Sequence, residues 1–192
     1  MSRAWQRMLS GRRLDLLNPS PFDIEIEDIA HGLSRVSRWN GQTVGEHSFS
    51  VAQHSVLVLD LFSAQAVNSS PRDQLYALLH DAAEYVIGDL ISPFKSAVGL
   101  DYKSLEHKLE HAVHVRFGLK ADPGEDLHRR IKAADIKAAY WEATLLAGFD
   151  SAEAVNFFGE RPGGRAPDLT PLSAMEAKAL FTGRFEGLLA QT

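Results

Sequence analysis

The stretch Tyr76-Ala-Leu-Leu-His80-Asp81-Ala-Ala-Glu84-Tyr-Val-Ile-Gly88-Asp89-Leu90 decides how this chain is read. Its spacing of Leu78, Leu79, Ala82 and Val86 is helical, and the helix is predicted to open at Ser70-Pro71 and stop at Gly88. Four polar groups interrupt the apolar run: His80, Asp81, Glu84 and Asp89. Buried imidazole and carboxylate are costly unless paired, and a divalent cation is one partner that repays them.

Outward from that stretch, the periodicity stays helical almost everywhere. Helices are predicted over about 25–37, 43–66, 101–117, 126–147 and 171–190. The second starts at a capping box, Thr43-Val-Gly-Glu46, and is apolar nearly all round, as a buried helix is. Residues 1–24 read as an irregular arm, 25–150 as a helical core and 151–192 as a loop and C-terminal helix. Almost no segment alternates with period two. The predicted class is all-α, one domain of 192 residues.

Composition narrows the chemistry. The chain has no cysteine, which excludes disulfides and thiolate metal sites. Its net charge of −5 argues against nucleic acid as a partner. No run approaches the ~20 apolar residues of a membrane span, and the N-terminus lacks the apolar stretch of a signal peptide, so the expected location is the cytoplasm. The apolar positions Leu180, Phe181, Phe185, Leu188 and Leu189 of the last helix leave two readings open, a homodimer or docking on its own domain.

His80 and Asp81, neighbours on one predicted helix, point about 100° apart and can share a metal over the groove between them. Further ligands must come from other helices. Asp135, in Lys132-Ala-Ala-Asp135, borders the apolar face of the helix 126–147. For a second histidine the choice lies between His47 and His54. His80 stands nine positions after Pro71, His54 twelve before Ala66 and His47 nineteen before it. In an antiparallel hairpin that spacing displaces His47 from His80 by roughly 15 Å, too far for bonds of about 2 Å. His54 is the choice. A competing set, His107, His111 and His114, shares one helix face but alternates with Lys103, Lys108 and Glu110, and is expected to be a solvated face.

The order His54, His80-Asp81, Asp135 resembles the HD-domain metal phosphohydrolases, and within them the bacterial 5′-deoxynucleotidase-like branch. Arg38-Trp39 matches an Arg-Trp pair ahead of the first metal histidine. Val51-Ala-Gln-His-Ser55 matches a Val-Ser-Glu-His-Ser segment, with Gln53 in place of the glutamate. Glu46-His-Ser48 is a second local match to the same form. The block His80-Asp-Ala-Ala-Glu84 with Gly88-Asp-Leu-Ile-Ser-Pro-Phe-Lys95 completes the likeness over about residues 27–150.

The resemblance implies an HD-type bundle holding one divalent ion, Mn²⁺, Co²⁺, Fe²⁺ or Zn²⁺, on His54, His80, Asp81 and Asp135. It implies hydrolysis of a small nucleotide, with a deoxynucleoside 5′-monophosphate as lead substrate. A deoxynucleoside triphosphate or cyclic nucleotide is the alternative, and a metal-stabilised binding module without turnover the non-enzyme one. Glu84 would orient and deprotonate water. Asp89 would act on the leaving oxygen or bind the sugar. Arg38 offers a bidentate fork for phosphate, Lys95 a point charge and Trp39 a stacking surface.

Overall fold

The computed structural model describes residues 4–65, 68–90 and 100–192, with the side chains of 100–102 left aside; Lys95 lies outside the described residues. Among these, the helices are α1 (Ile26–Leu33), α2 (Val51–Gln65), α3 (Pro71–Leu78), α4 (Glu84–Ile87), α5 (Leu100–Arg116), α6 (Glu125–Leu145), α7 (Ser151–Phe158) and α8 (Ala174–Leu189). The architecture is all-α. The arm expected to be irregular instead carries a small antiparallel hairpin, β1 (Trp5–Arg7) paired with β2 (Arg13–Asp15), with Trp5 opposite Asp15. Strands of three residues are too short to show alternation in sequence.

Helix α2 is the axis of the molecule. From Val51 to Leu59 every residue is buried, and α3, α6 and α8 pack around it. Phe181, Phe185 and Leu188 of α8 are buried within this same domain, leaving Leu180 and Leu189 at the surface. Helix α1 packs on α4 and α8. Its contact with α4 depends on Gly32, where a Cβ would stand 2.8 Å from both the Cβ and the carbonyl oxygen of Tyr85. No helix among the described residues is long and apolar enough to cross a membrane.

Two predicted helices are corrected in ways that shape the site. Helix α2 begins at Val51, not Thr43. Ser50 starts it, its carbonyl accepting His54 N–H at 3.0 Å and its Oγ accepting Gln53 N–H at 3.3 Å. The helix cannot extend back through Gly45, which sits at φ 113° against Pro171. The preceding chain is extended and pairs with the segment after α1: Arg38 N–H bonds Phe49 O at 2.8 Å, and Val51 N–H bonds Val36 O at 3.0 Å. That pairing brings Arg38-Trp39 beside the start of α2.

The predicted helix 70–88 is broken. α3 stops at Leu78 and α4 starts at Glu84, with turns between. Tight i→i−3 bonds run through the break, Ala82 N–H to Leu79 O at 2.9 Å and Glu84 N–H to Asp81 O at 3.0 Å. His80 and Asp81 therefore sit in a turn between two helices rather than side by side on one. The regular-helix spacing expected for them does not apply there.

Candidate metal centre

His54 is fully buried on α2, at the meeting point of α2, the α3–α4 turn and α6. Its Nε2 lies 3.3 Å from Asp81 Oδ2 and 3.3 Å from Asp135 Oδ1. His80 Nε2 lies 3.2 Å from the same Asp81 oxygen. Donor atoms of His54, His80 and Asp81 all fall within 4.8 Å of one another. Asp135 approaches from the His54 side, and its other oxygen takes Lys132 Nζ at 2.6 Å.

The chemistry of these donors fits a cation. Nε2 of both histidines is buried and has no hydrogen-bond partner among the described residues. The other nitrogen of each ring is engaged: His80 Nδ1 bonds Ala77 O at 2.9 Å, and His54 Nδ1 bonds Glu142 Oε1. Both partners are acceptors, so Nδ1 carries the proton and the Nε2 lone pairs turn towards the carboxylates, the usual arrangement around a metal-binding imidazole. Separations of about 3 Å between donors suit a central ion with bonds near 2 Å.

Burial and the Arg38 charge push the His54 imidazole down, but Glu142, Asp135 and Asp81 outweigh them and raise it well above its usual value. Burial pushes Asp81 up, yet His80 and His54 hold it well below the ordinary carboxylate range, and Asp135 is lowered by His54 in the same way.

The substrate side differs from expectation. Arg38 is not a free fork: its Nη1 pairs with Asp89 at 3.0 Å and its Nε with Glu142 at 3.2 Å. Glu84 is buried, close enough to add to the charges that keep the guanidinium protonated. Trp39 donates its indole N–H to Glu142 Oε2 at 2.9 Å and packs on Phe149 and Phe158, with ring centroids at 5.6 and 6.0 Å. Its backbone, with that of Asn40, is left-handed (φ 55° and 50°), a conformation that costs about 1–3 kcal/mol per residue and is retained where the surroundings enforce it.

Glu142 is the residue the sequence reading passed over. It is fully buried on α6, and burial, which would raise it, is outweighed by His54 and Arg38, which bring it down to about 2. It stands seven positions after Asp135, two turns on along the same face. An acid on the apolar border, the signal that selected Asp135, is present here too.

His47 is exposed and outside any helix. Of the competing histidines, His107 is exposed, but His114 is buried, bonded through Nδ1 to Ala121 O at 2.9 Å and edge-on to Tyr76. The expected solvated face is thus only partly solvated. With His111 these residues wall a groove of about 440 Å³ that reaches His80, Asp81 and Asp135.

An all-α bundle presenting His54, His80, Asp81 and Asp135 in this order is a metal-site hydrolase architecture of the HD type. The chain matches the YfbR-like 5′-deoxynucleotidase family over residues 29–148 and belongs to that family. It is 53% identical to an uncharacterised protein of Rhodobacter capsulatus, covering 98% of this chain and 97% of that one. It is 30% identical to the uncharacterised protein YfdR of Escherichia coli K12, covering 95% of this chain and 94% of that one.

Proposed function

We propose that the protein is a metal-dependent phosphomonoesterase that releases the 5′-phosphate of deoxynucleoside monophosphates. The observation that carries this reading is the cluster of His54, His80 and Asp81, with Asp135 against His54 at 3.3 Å, in a chain of this family. These four residues would hold the divalent ion, which supplies Lewis-acid activation and charge neutralisation when bound.

The chain's own residues divide the remaining work. Glu84, buried and within electrostatic reach of Arg38, holds the attacking water and accepts its proton. As water bonds to phosphorus, the bond from phosphorus to the 5′-oxygen breaks, and the leaving oxygen takes up a proton from solvent to become the sugar hydroxyl. Arg38 faces the phosphate with Nη2, the nitrogen not engaged by Glu142 or Asp89. Trp39 bounds the sugar. Asp89, paired with Arg38, is a hydrogen-bond acceptor, which favours holding Arg38 and a sugar hydroxyl over proton donation to the leaving oxygen.

The groove favours one phosphate over three. Glu106, Glu110, Asp122 and Glu125 line it with the metal-site acids, and its lysine, Lys132, is taken by Asp135. A further polyphosphate would meet like charge there.

The test is a substrate panel of dNMPs, NMPs, dNTPs and cyclic dinucleotides, run on protein stripped of metal and reloaded with Mn²⁺ or Co²⁺. Orthophosphate released from dNMPs and lost in Asp81→Ala is the expected result. Pyrophosphate or triphosphate as product moves the reading to a triphosphohydrolase. No turnover in any arm leaves a metal-stabilised binding module.

A further inference from the structure

Three donors converge on the one buried carboxylate of Glu142. Oε1 accepts the Nδ1–H of His54, while Oε2 accepts both the Nε–H of Arg38 and the Nε1–H of Trp39. These donors belong to two otherwise separate parts of the site. His54 is in the metal cluster. Arg38 and Trp39 form the turn ahead of α2, where Trp39 and Asn40 keep a strained backbone.

We infer that Glu142 is a positioning residue with divided labour: Oε1 fixes the His54 tautomer that presents Nε2 to the ion, and Oε2 fixes the Arg38–Trp39 turn that receives the substrate. The inference rests on the phosphomonoesterase reading for its substrate arm and is independent of it for its metal arm.

The argument turns on the number of oxygens. All three partners are donors, so all three need an acceptor. Glutamine has the shape of glutamate but a single oxygen. With that oxygen towards His54, the amide NH₂ meets Arg38 and Trp39, donor against donor, and the strained turn loses its anchor. With the oxygen towards Arg38 and Trp39, the NH₂ meets His54 Nδ1. The imidazole then moves its proton to Nε2, the atom that faces Asp81 and Asp135. Either orientation damages one arm, and a buried donor without an acceptor is costly. Outer partners of metal ligands typically carry a factor of about 10–100 in affinity or activity.

The experiment is Glu142→Gln, with Mn²⁺ binding measured by calorimetry and kcat and KM measured at saturating metal. At least about a tenfold loss in one of two quantities, Mn²⁺ affinity or 1/KM, is expected with the helical circular dichroism unchanged. Both quantities within twofold of wild type would overturn the inference. Trp39→Phe, which keeps the ring and deletes one Oε2 donor, tests the division itself and serves if Glu142→Gln does not fold. It should raise KM several-fold and leave Mn²⁺ affinity within twofold. A loss of Mn²⁺ affinity matching the rise in KM, or an unchanged KM, would show that the two oxygens do not divide the work. Should wild type release no phosphate from any dNMP, the functional reading fails on its own, and the Mn²⁺ affinity of Glu142→Gln still decides the metal arm.

Discussion

Arg38 Nη1 and Asp89 Oδ2 lie 3.0 Å apart, joining the turn ahead of α2 to the residue that follows the Gly88 cap of α4. Both side chains are largely buried, and Glu142 brackets the guanidinium from the opposite side. An arginine held between two carboxylates is pre-aimed. It gives up freedom on folding rather than on binding substrate, so less affinity is lost to ordering.

Asp89→Asn should therefore act mainly on substrate affinity. The amide oxygen still accepts a hydrogen bond, but the charge that anchors Arg38 is gone. Loss of a charge-assisted bond of about 1.5–3 kcal/mol corresponds to roughly a 10–100-fold fall in kcat/KM. Most of it should appear as a higher KM in steady-state phosphate release. A fall in kcat at unchanged KM would instead identify Asp89 as the proton donor to the leaving oxygen.

Metal binding should displace a proton. In the metal-free cluster the His54 imidazole is raised well above its usual value, because Glu142, Asp135 and Asp81 outweigh the opposing burial and Arg38 charge. A raised imidazole favours its protonated form, and Nε2 must lose that proton to become a ligand. Affinity for Mn²⁺ should therefore fall as pH is lowered. Calorimetry in two buffers of different ionisation enthalpy would count the protons released, and a count of zero would refute the assignment of His54. Stability follows the same group. In metal-free protein its raised value stabilises the fold fully below the usual imidazole range, and the contribution disappears as pH rises through the folded value. Asp81 and Asp135 are lowered, so their contribution is present above the usual carboxylate range and lost as pH falls.

The helical periods of α2, α5, α6 and α8 were legible because each buries a long apolar stripe. That His54, His80 and Asp81 would lie together was legible from spacing and from the motif resemblance. What local pattern could not carry was set by tertiary contact. The start of α2 moved to Val51 because residues 36–38 pair with 49–51 and Gly45 abuts Pro171. The break between Leu78 and Glu84 has no proline or glycine to announce it, and Gly32, which packs on Tyr85 just after it, lies over fifty positions earlier. Helix α7 lies in the stretch expected to be loop, although Asp150 and Glu153 form a capping box at its start. Glu142 carried a usable signal but no motif, since its partners lie 88 to 104 positions away.

Gln53, which stands where the resembled segment has glutamate, has a structural account and a test. Its Oε1 accepts Leu172 N–H at 3.0 Å and its Nε2 donates to Thr170 O at 3.1 Å, so both ends of the amide clamp the loop before α8 onto α2. The side chain is almost fully buried, next to His54 in sequence. A glutamate could still accept from Leu172, but its second oxygen would face the Thr170 carbonyl, acceptor against acceptor, with a charge added. Gln53→Glu should lower unfolding free energy by about 1–3 kcal/mol in urea. Gln53→Met, which fills the space without either bond, should cost a comparable amount, because it leaves the Leu172 N–H without its acceptor. Because neither change touches a metal-site side chain, Mn²⁺ affinity should stay within a few-fold in the folded protein. Wild-type stability in Gln53→Glu would show that the amide is not what fastens this loop.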